Sequence, residues 1–148
     1  MSWEALHGTG ALAIAVKVLI AYALGLPTGL ERFKHDRSAG LRTFPLVSLA
    51  SCAFMLAGSQ FGSDVAAQSR IIVGVMQGIG FIGGGSILKE GASVHGTATA
   101  ASLWNMGAIG ACVSFGNYPI ALLLCALNYA SLAWITPLEE KIKKEPSE

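Results

Sequence analysis

Residues 70–104 read RIIVGVMQGIGFIGGGSILKEGASVHGTATAASLW. The stretch begins as an apolar helix, fills with glycine, turns at a short charged loop and re-enters as a run of small residues. Gly78, Gly80 and Gly83 spell G-x-G-x-x-G after a β-branched run, the pattern of a dinucleotide-binding turn in a soluble βαβ unit. The same glycines, with Gly74, Gly84 and Gly85, also suit transmembrane helices that approach closely. Composition decides between the two.

The 148 residues are 53% hydrophobic and 13% charged, with a mean hydropathy of +0.56. Soluble domains carry about 25% charged residues, so this chain lacks the polar surface that water requires. Lipid is its expected solvent. The dinucleotide reading fails because the flanking segments are long and apolar and no acidic residue lies near position 100. A phosphate-binding P-loop fails because Lys89 is followed by Glu90. A net charge of +1, with no interleaving of basic and aromatic residues, gives no support to a nucleic-acid partner.

Working outward, apolar segments predict five transmembrane helices in an all-α bundle. They fall at about residues 9–30, 43–61, 71–88, 97–115 and 118–135, with the first serving as its own insertion signal. Residues 1–136 form one transmembrane domain and 137–148 a charged cytoplasmic tail. Arg32, Lys34, Arg37, Arg42, Lys89, Lys141, Lys143 and Lys144 gather on one side and Arg70 on the other. That bias places the N-terminus outside and the C-terminus in the cytoplasm. Three consecutive glycines, Gly83 to Gly85, exceed what packing needs, since each costs about 1 kcal/mol against alanine. The third helix is therefore expected to bend or break there, as helices do where they line a cavity.

Polar residues inside the spans are the candidates for function. Lys17 lies on the first, continued along its face by Ala21, Gly25, Thr28 and Gly29, a small-residue stripe suited to burial against protein. Its ammonium can pair there, line a cavity or snorkel to the interface. Gln77, Ser86, Asn105 and Asn128 are the other polar groups of the spans, clustering toward the glycine-rich region as a shared cavity or as interhelical hydrogen-bonding groups. Gly25, Gly29, Gly74, Gly78, Gly80, Gly83, Gly84, Gly85, Gly107 and Gly110 are read as helix-packing positions. Residues 31–42, ERFKHDRSAGLR, hold the densest charge cluster and are expected as a loop or interfacial segment. Glu31, Arg32, Asp36, Arg37 and Arg42 there can pair across helix ends, bind anionic lipid headgroups or form a recognition surface. Glu31 and Asp36 lie five residues apart, which is no preformed cation site. Cys52, Cys112 and Cys125 read as buried thiols. The spans hold no Asp or His, and no Ser or Cys has an evident activating partner, so neither enzyme nor cofactor is expected.

LGLPTGLER (24–32), SAGLRTFPLVSLASCAF (38–54) and GIGFIGGGSILKEGASVHGTATAASLWNMGAIG (78–110) together resemble the MgtC/SapB family of bacterial inner-membrane proteins. The resemblance maps the family's signature onto Gly29, Glu31, Arg32, Gly40, Arg42, Thr43, Gly80, Gly84, Gly91, Gly96, Thr99, Ala100, Ala101, Trp104 and Gly110. It implies a short form, without a C-terminal cytoplasmic domain, of a membrane protein tied to low-magnesium adaptation and virulence. It also implies a membrane-protein partner such as the ATP synthase. The expected function is a non-enzymatic regulator or adaptor, set among membrane lipids and dimeric with its own kind. The alternative is a small oligomeric ion or solute transporter.

Overall fold

In the computed structural model, residues 9–34, 39–59, 64–135 and 142 are described. Five helices follow in order, α1 (Thr9–Lys34), α2 (Thr43–Gly58), α3 (Val65–Gly85), α4 (Thr97–Ser114) and α5 (Tyr118–Ala130). A β-hairpin, β1 (Leu88–Glu90) and β2 (Ser93–His95), joins α3 to α4, and α5 continues into a π-helical turn, Ser131–Ile135.

Five transmembrane spans are not what these helices provide. Three are long and apolar enough to cross a membrane: Gly10–Lys34, Val65–Gly85 and Tyr118–Ile135. Helix α2 is apolar but only 16 residues long. Helix α4 has 18 residues, yet Thr97, Thr99, Ser102, Asn105 and Ser114 dilute its apolar content. The orientation drawn from five crossings loses its basis with them.

The division is physical. Helices α1 and α5 carry their large apolar side chains outward, including Leu12, Leu19, Leu122, Leu123 and Leu127. Helix α3 buries only Ile79 and Gly83 of its 21 residues. Helix α4, by contrast, packs against all four other helices and buries nine residues, among them Leu103, Met106, Ile109 and Val113. A helix walled by protein has no need of a lipid-facing stripe. Helix α2 presents Phe44, Val47, Ser48, Ser51, Cys52 and Met55 inward at helical spacing, meeting α4 and α1.

Local chemistry sets the helix ends. Asp64 caps α3, its Oδ1 accepting from the Ala66 and Ala67 amides at 2.9 and 3.2 Å. Helix α3 is continuous from Val65 to Gly85, so the triple glycine ends the helix and does not break its middle. Residues 31–34 are not a loop either, since α1 carries its helical turns through Lys34. The charged segment after α3 forms the hairpin, with Leu88 opposite His95 and Glu90 opposite Ser93. Gly91, at φ +60°, opens its two-residue turn. Gly96, at φ +89°, lets the chain pass the Ser86 carbonyl, which a Cβ would strike.

The glycines expected to pack helices divide into two groups. A Cβ at Gly25 would lie 2.6 Å from the Pro45 Cα, and one at Gly29 3.1 Å from the Leu41 Cα. At Gly110 it would collide with the Ser48 carbonyl, at Gly107 with the Ile79 side chain, and at Gly83 it would lie 3.2 Å from the Ala100 carbonyl. These five allow close approach. Gly74, Gly78, Gly80, Gly84 and Gly85 have no atom within 4 Å of an added Cβ. They lie on open faces of α3 or at its end, and hold no helix of this chain.

Alanine substitution separates the two groups. Gly110→Ala forces α2 off α4 and is expected to cost about 1–3 kcal/mol. Gly80→Ala meets nothing and raises helix propensity. Thermal unfolding of the detergent-solubilised protein checks this, with a lowered midpoint for Gly110→Ala and an unchanged or raised one for Gly80→Ala. Equal midpoints would contradict the packing.

Candidate functional site

Helix α1 presents one buried face built from Ala21, Gly25, Thr28, Gly29 and Arg32. Those positions recur at three- and four-residue steps, so they share a side of the helix. The glycines bring that side against the start of α2, at Leu41 and Pro45. The polar residues then meet α4 and α5. Arg32, 5% exposed, donates from Nη2 to the Thr99 Oγ1 at 2.7 Å. One turn earlier the Thr28 hydroxyl accepts from the Asn128 Nδ2 at 3.0 Å. Glu31, 7% exposed, places a negative charge at the same end of the bundle.

Lys17 serves the opposite end. Its Nζ donates to the Ser114 carbonyl oxygen at 2.7 Å. Ser114 is the last residue of α4, and its carbonyl is among those a helix leaves without an internal partner. A cation there also meets the negative end of the helix dipole. Lys17 and Arg32 are fifteen residues apart on α1, as are Thr99 and Ser114 on α4. At 1.5 Å per residue both separations are about 22 Å. Helix α1 therefore runs antiparallel to α4 and holds it at both ends. Arg32 gains where it stands, in the last turn of α1, but it faces the first turn of α4, whose dipole is unfavourable to it. The Thr99 hydroxyl supplies the acceptor.

Helix α5 is fastened by weaker groups. Besides the Asn128 bond to Thr28, the Cys125 Sγ points at the Leu24 carbonyl at 3.2 Å, and the Asn105 Nδ2 donates to the Leu124 carbonyl at 3.3 Å. Sequence reasoning places Thr28 in the small-residue stripe and Asn128 among the polar groups of the spans, without the bond that joins them, and reads Cys125 only as a buried thiol.

The remaining candidates lie elsewhere. Ser86 donates to the Gly83 carbonyl at 2.7 Å and closes the end of α3. Gln77 is exposed on α3. Trp104, half exposed, borders a 260 Å³ cleft between α3 and α4 with Met55, Val75 and Gly107. Arg42 and Thr43 stand at one end of a second, larger groove between α2 and α3. Asp36 lies outside the described residues. Lys17, Ser86 and Asn105 thus bond to three different carbonyls, while Gln77 faces outward. Among the described residues no group of three His, Cys, Asp or Glu side chains is arranged for a metal ion.

With this geometry in place, the relatives are informative. The MgtC family profile matches residues 18–141. This chain belongs to the MgtC family. It is 38% identical over 116 residues to the protein MgtC of Salmonella typhimurium, covering 75% of this chain and 49% of that one. The MgtC of Brucella abortus is 34% identical over 143 residues, 97% of this chain and 58% of its own length. The protein SrpB of Synechococcus elongatus is 34% identical over 125 residues, 76% and 69% of the two chains. The chain spans about half the length of the first of these relatives. No solved structure matches. Membership and the three long apolar helices make the chain a multi-pass membrane protein of this family.

The Arg32 bond is expected to be visible in a double-mutant cycle. Thr99→Val strips a buried guanidinium of an acceptor and costs about 1–3 kcal/mol. In an Arg32→Met background the same change costs far less, because the donor is gone. Lys17→Met, at the far end of α4, is expected to cost about 1–2 kcal/mol and to add to Thr99→Val within about 0.5 kcal/mol. Denaturant unfolding in micelles measures all four terms. An absence of coupling between Arg32 and Thr99 would contradict the geometry.

Proposed function

We propose that the chain is a regulator or adaptor of the bacterial inner membrane that works by contact with another membrane protein. The observation that carries this reading is the use made of the polar side chains in the bundle. Lys17, Arg32, Thr99, Asn105 and Asn128 are engaged in bonds between helices, where a transporter needs groups that converge on a path. Family membership supports the same reading, and the family's tie to magnesium limitation, virulence and membrane energetics supplies the physiological setting. The ATP synthase is the partner that the resemblance suggests.

The surface for such a contact is the outer face of α3. Val73, Gln77, Gly80 and Gly84 share one side of that helix at 100° per residue and are all exposed. Gly80 and Gly84 form a G-x-x-x-G pair with nothing over it, the pattern that lets a second helix approach closely. Gln77 adds a hydrogen-bonding group. A second copy of the chain and an unrelated membrane helix both fit that face.

A photo-crosslinking amino acid at position 77, introduced into the full chain in bacterial membranes, is expected to give one discrete adduct. The same residue at Leu122, on the outward face of α5, is expected to give none. Reconstituted liposomes are expected to show no selective ion or solute flux. Selective flux without a protein adduct would overturn the regulator reading in favour of transport.

A further inference from the structure

A broad apolar cavity lies between α2 and α3, on the side of α3 away from Gly80 and Gly84. It has a volume of about 690 Å³ and opens outward. Leu46, Val47 and Phe54 of α2 wall one side and Val75, Ile79 and Ile82 of α3 the other. Gly74 and Gly78 also line it, and no atom lies within 4 Å of the Cβ either would carry, so the α3 wall is recessed there. Among the described residues Arg42 is its one ionisable lining residue, placed at the α2 N-terminal end and exposed.

Dimensions and charge limit what can occupy this groove. From Arg42 to Phe54 the α2 wall runs twelve residues, or about 18 Å. The hydrocarbon of one leaflet is about 15 Å deep, half of a core of about 30 Å. The groove is thus as long as one acyl chain, and it runs along a helix long and apolar enough to cross the bilayer. A soluble ligand would have to reach it through lipid. A second helix would fill the apolar walls and leave the guanidinium without a matched anion. A phospholipid with an anionic headgroup satisfies both ends, its tail against the apolar walls and its phosphate at Arg42.

We propose that the α2–α3 groove is a binding site for one anionic phospholipid, with an acyl chain between Leu46 and Ile82 and the headgroup held by Arg42. The site is independent of the protein contact on the outer face of α3, so either can fail without the other.

Native mass spectrometry of the full-length protein tests this, with dioleoyl phosphatidylglycerol and dioleoyl phosphatidylcholine offered in equal amounts. One phosphatidylglycerol is expected to be retained about five-fold over phosphatidylcholine, the ratio one near-surface cation provides. Arg42→Gln is expected to abolish the preference while chain binding persists. Gly78→Leu, which fills the groove, is expected to remove the retained lipid of either kind. Arg70→Gln, outside the groove, is expected to change nothing. Should Gly78→Leu fail to fold, the exposed Arg42→Gln still decides the matter. Equal retention of the two lipids, or a preference that survives Arg42→Gln, would overturn the proposal. So would a lipid-free dimer crosslinked through cysteines placed at Phe54.

Discussion

Helix α4 is held between two cations of α1, Lys17 at its C-terminal carbonyl and Arg32 at its first-turn hydroxyl. Hydrocarbon offers no water to solvate such groups, so each must find its partner within the protein. Matching fifteen-residue spacings on the two helices make both bonds possible at once, which fixes their direction and their axial register together. A shift of α1 by one turn, about 5.4 Å, would break both. The rest of the bundle is arranged on this pair. Gly25 and Gly29 bring α2 to the same face of α1, Gly110 brings α2 to α4, and Asn105, Cys125 and Asn128 fasten α5.

That arrangement accounts for the unequal apolarity of the helices. Helix α4 packs against all four other helices and is rich in alanine, glycine, serine and threonine, which pack closely and hydrogen-bond. Helices α1, α3 and α5, the last with its π-helical turn, are long and apolar enough to cross a membrane and carry large apolar side chains on their outer faces. Of these α3 is the most exposed, with its glycines turned toward open space and not toward its own bundle. Its two free sides differ in character. One is a narrow glycine ridge with Gln77, and the other a broad apolar groove ending at Arg42. The proposed role by contact rests on polar groups bonded within the bundle and on these open surfaces of α3.

Much of this was legible in the sequence. Helix positions followed from apolar runs and breakers, within a few residues at most ends, because a hydrophobic segment bounded by charge or glycine has few other fates in lipid. The stripe from Lys17 through Thr28 and Gly29 was visible as a buried face. What composition could not give was the difference between an apolar helix facing lipid and a small-residue helix enclosed by others. Five runs were therefore read as five spans, where three helices meet the length and apolarity of a crossing. The ERFK segment looked like a loop because its three charged residues are costly in hydrocarbon, yet Thr99 offers Arg32 an acceptor sixty-seven residues away. No local pattern reports such a partner. The glycines of α3 misled for a related reason, since a packing motif identifies a face without saying whose helix will cover it.

The antiparallel clamp of α1 on α4 is most directly tested by distances between pairs of spin labels. The native cysteines 52, 112 and 125 are first replaced by alanine, and labels are then set at exposed positions. Pairs at Val16 with Phe115 and at Phe33 with Ala98 share an end of the clamp, whereas Val16 with Ala98 and Phe33 with Phe115 span it. Both crossed pairs are expected to be longer than both same-end pairs, by a margin on the order of 15 Å set by the helix rise. Crossed pairs shorter than same-end pairs, or four indistinguishable distances, would contradict it.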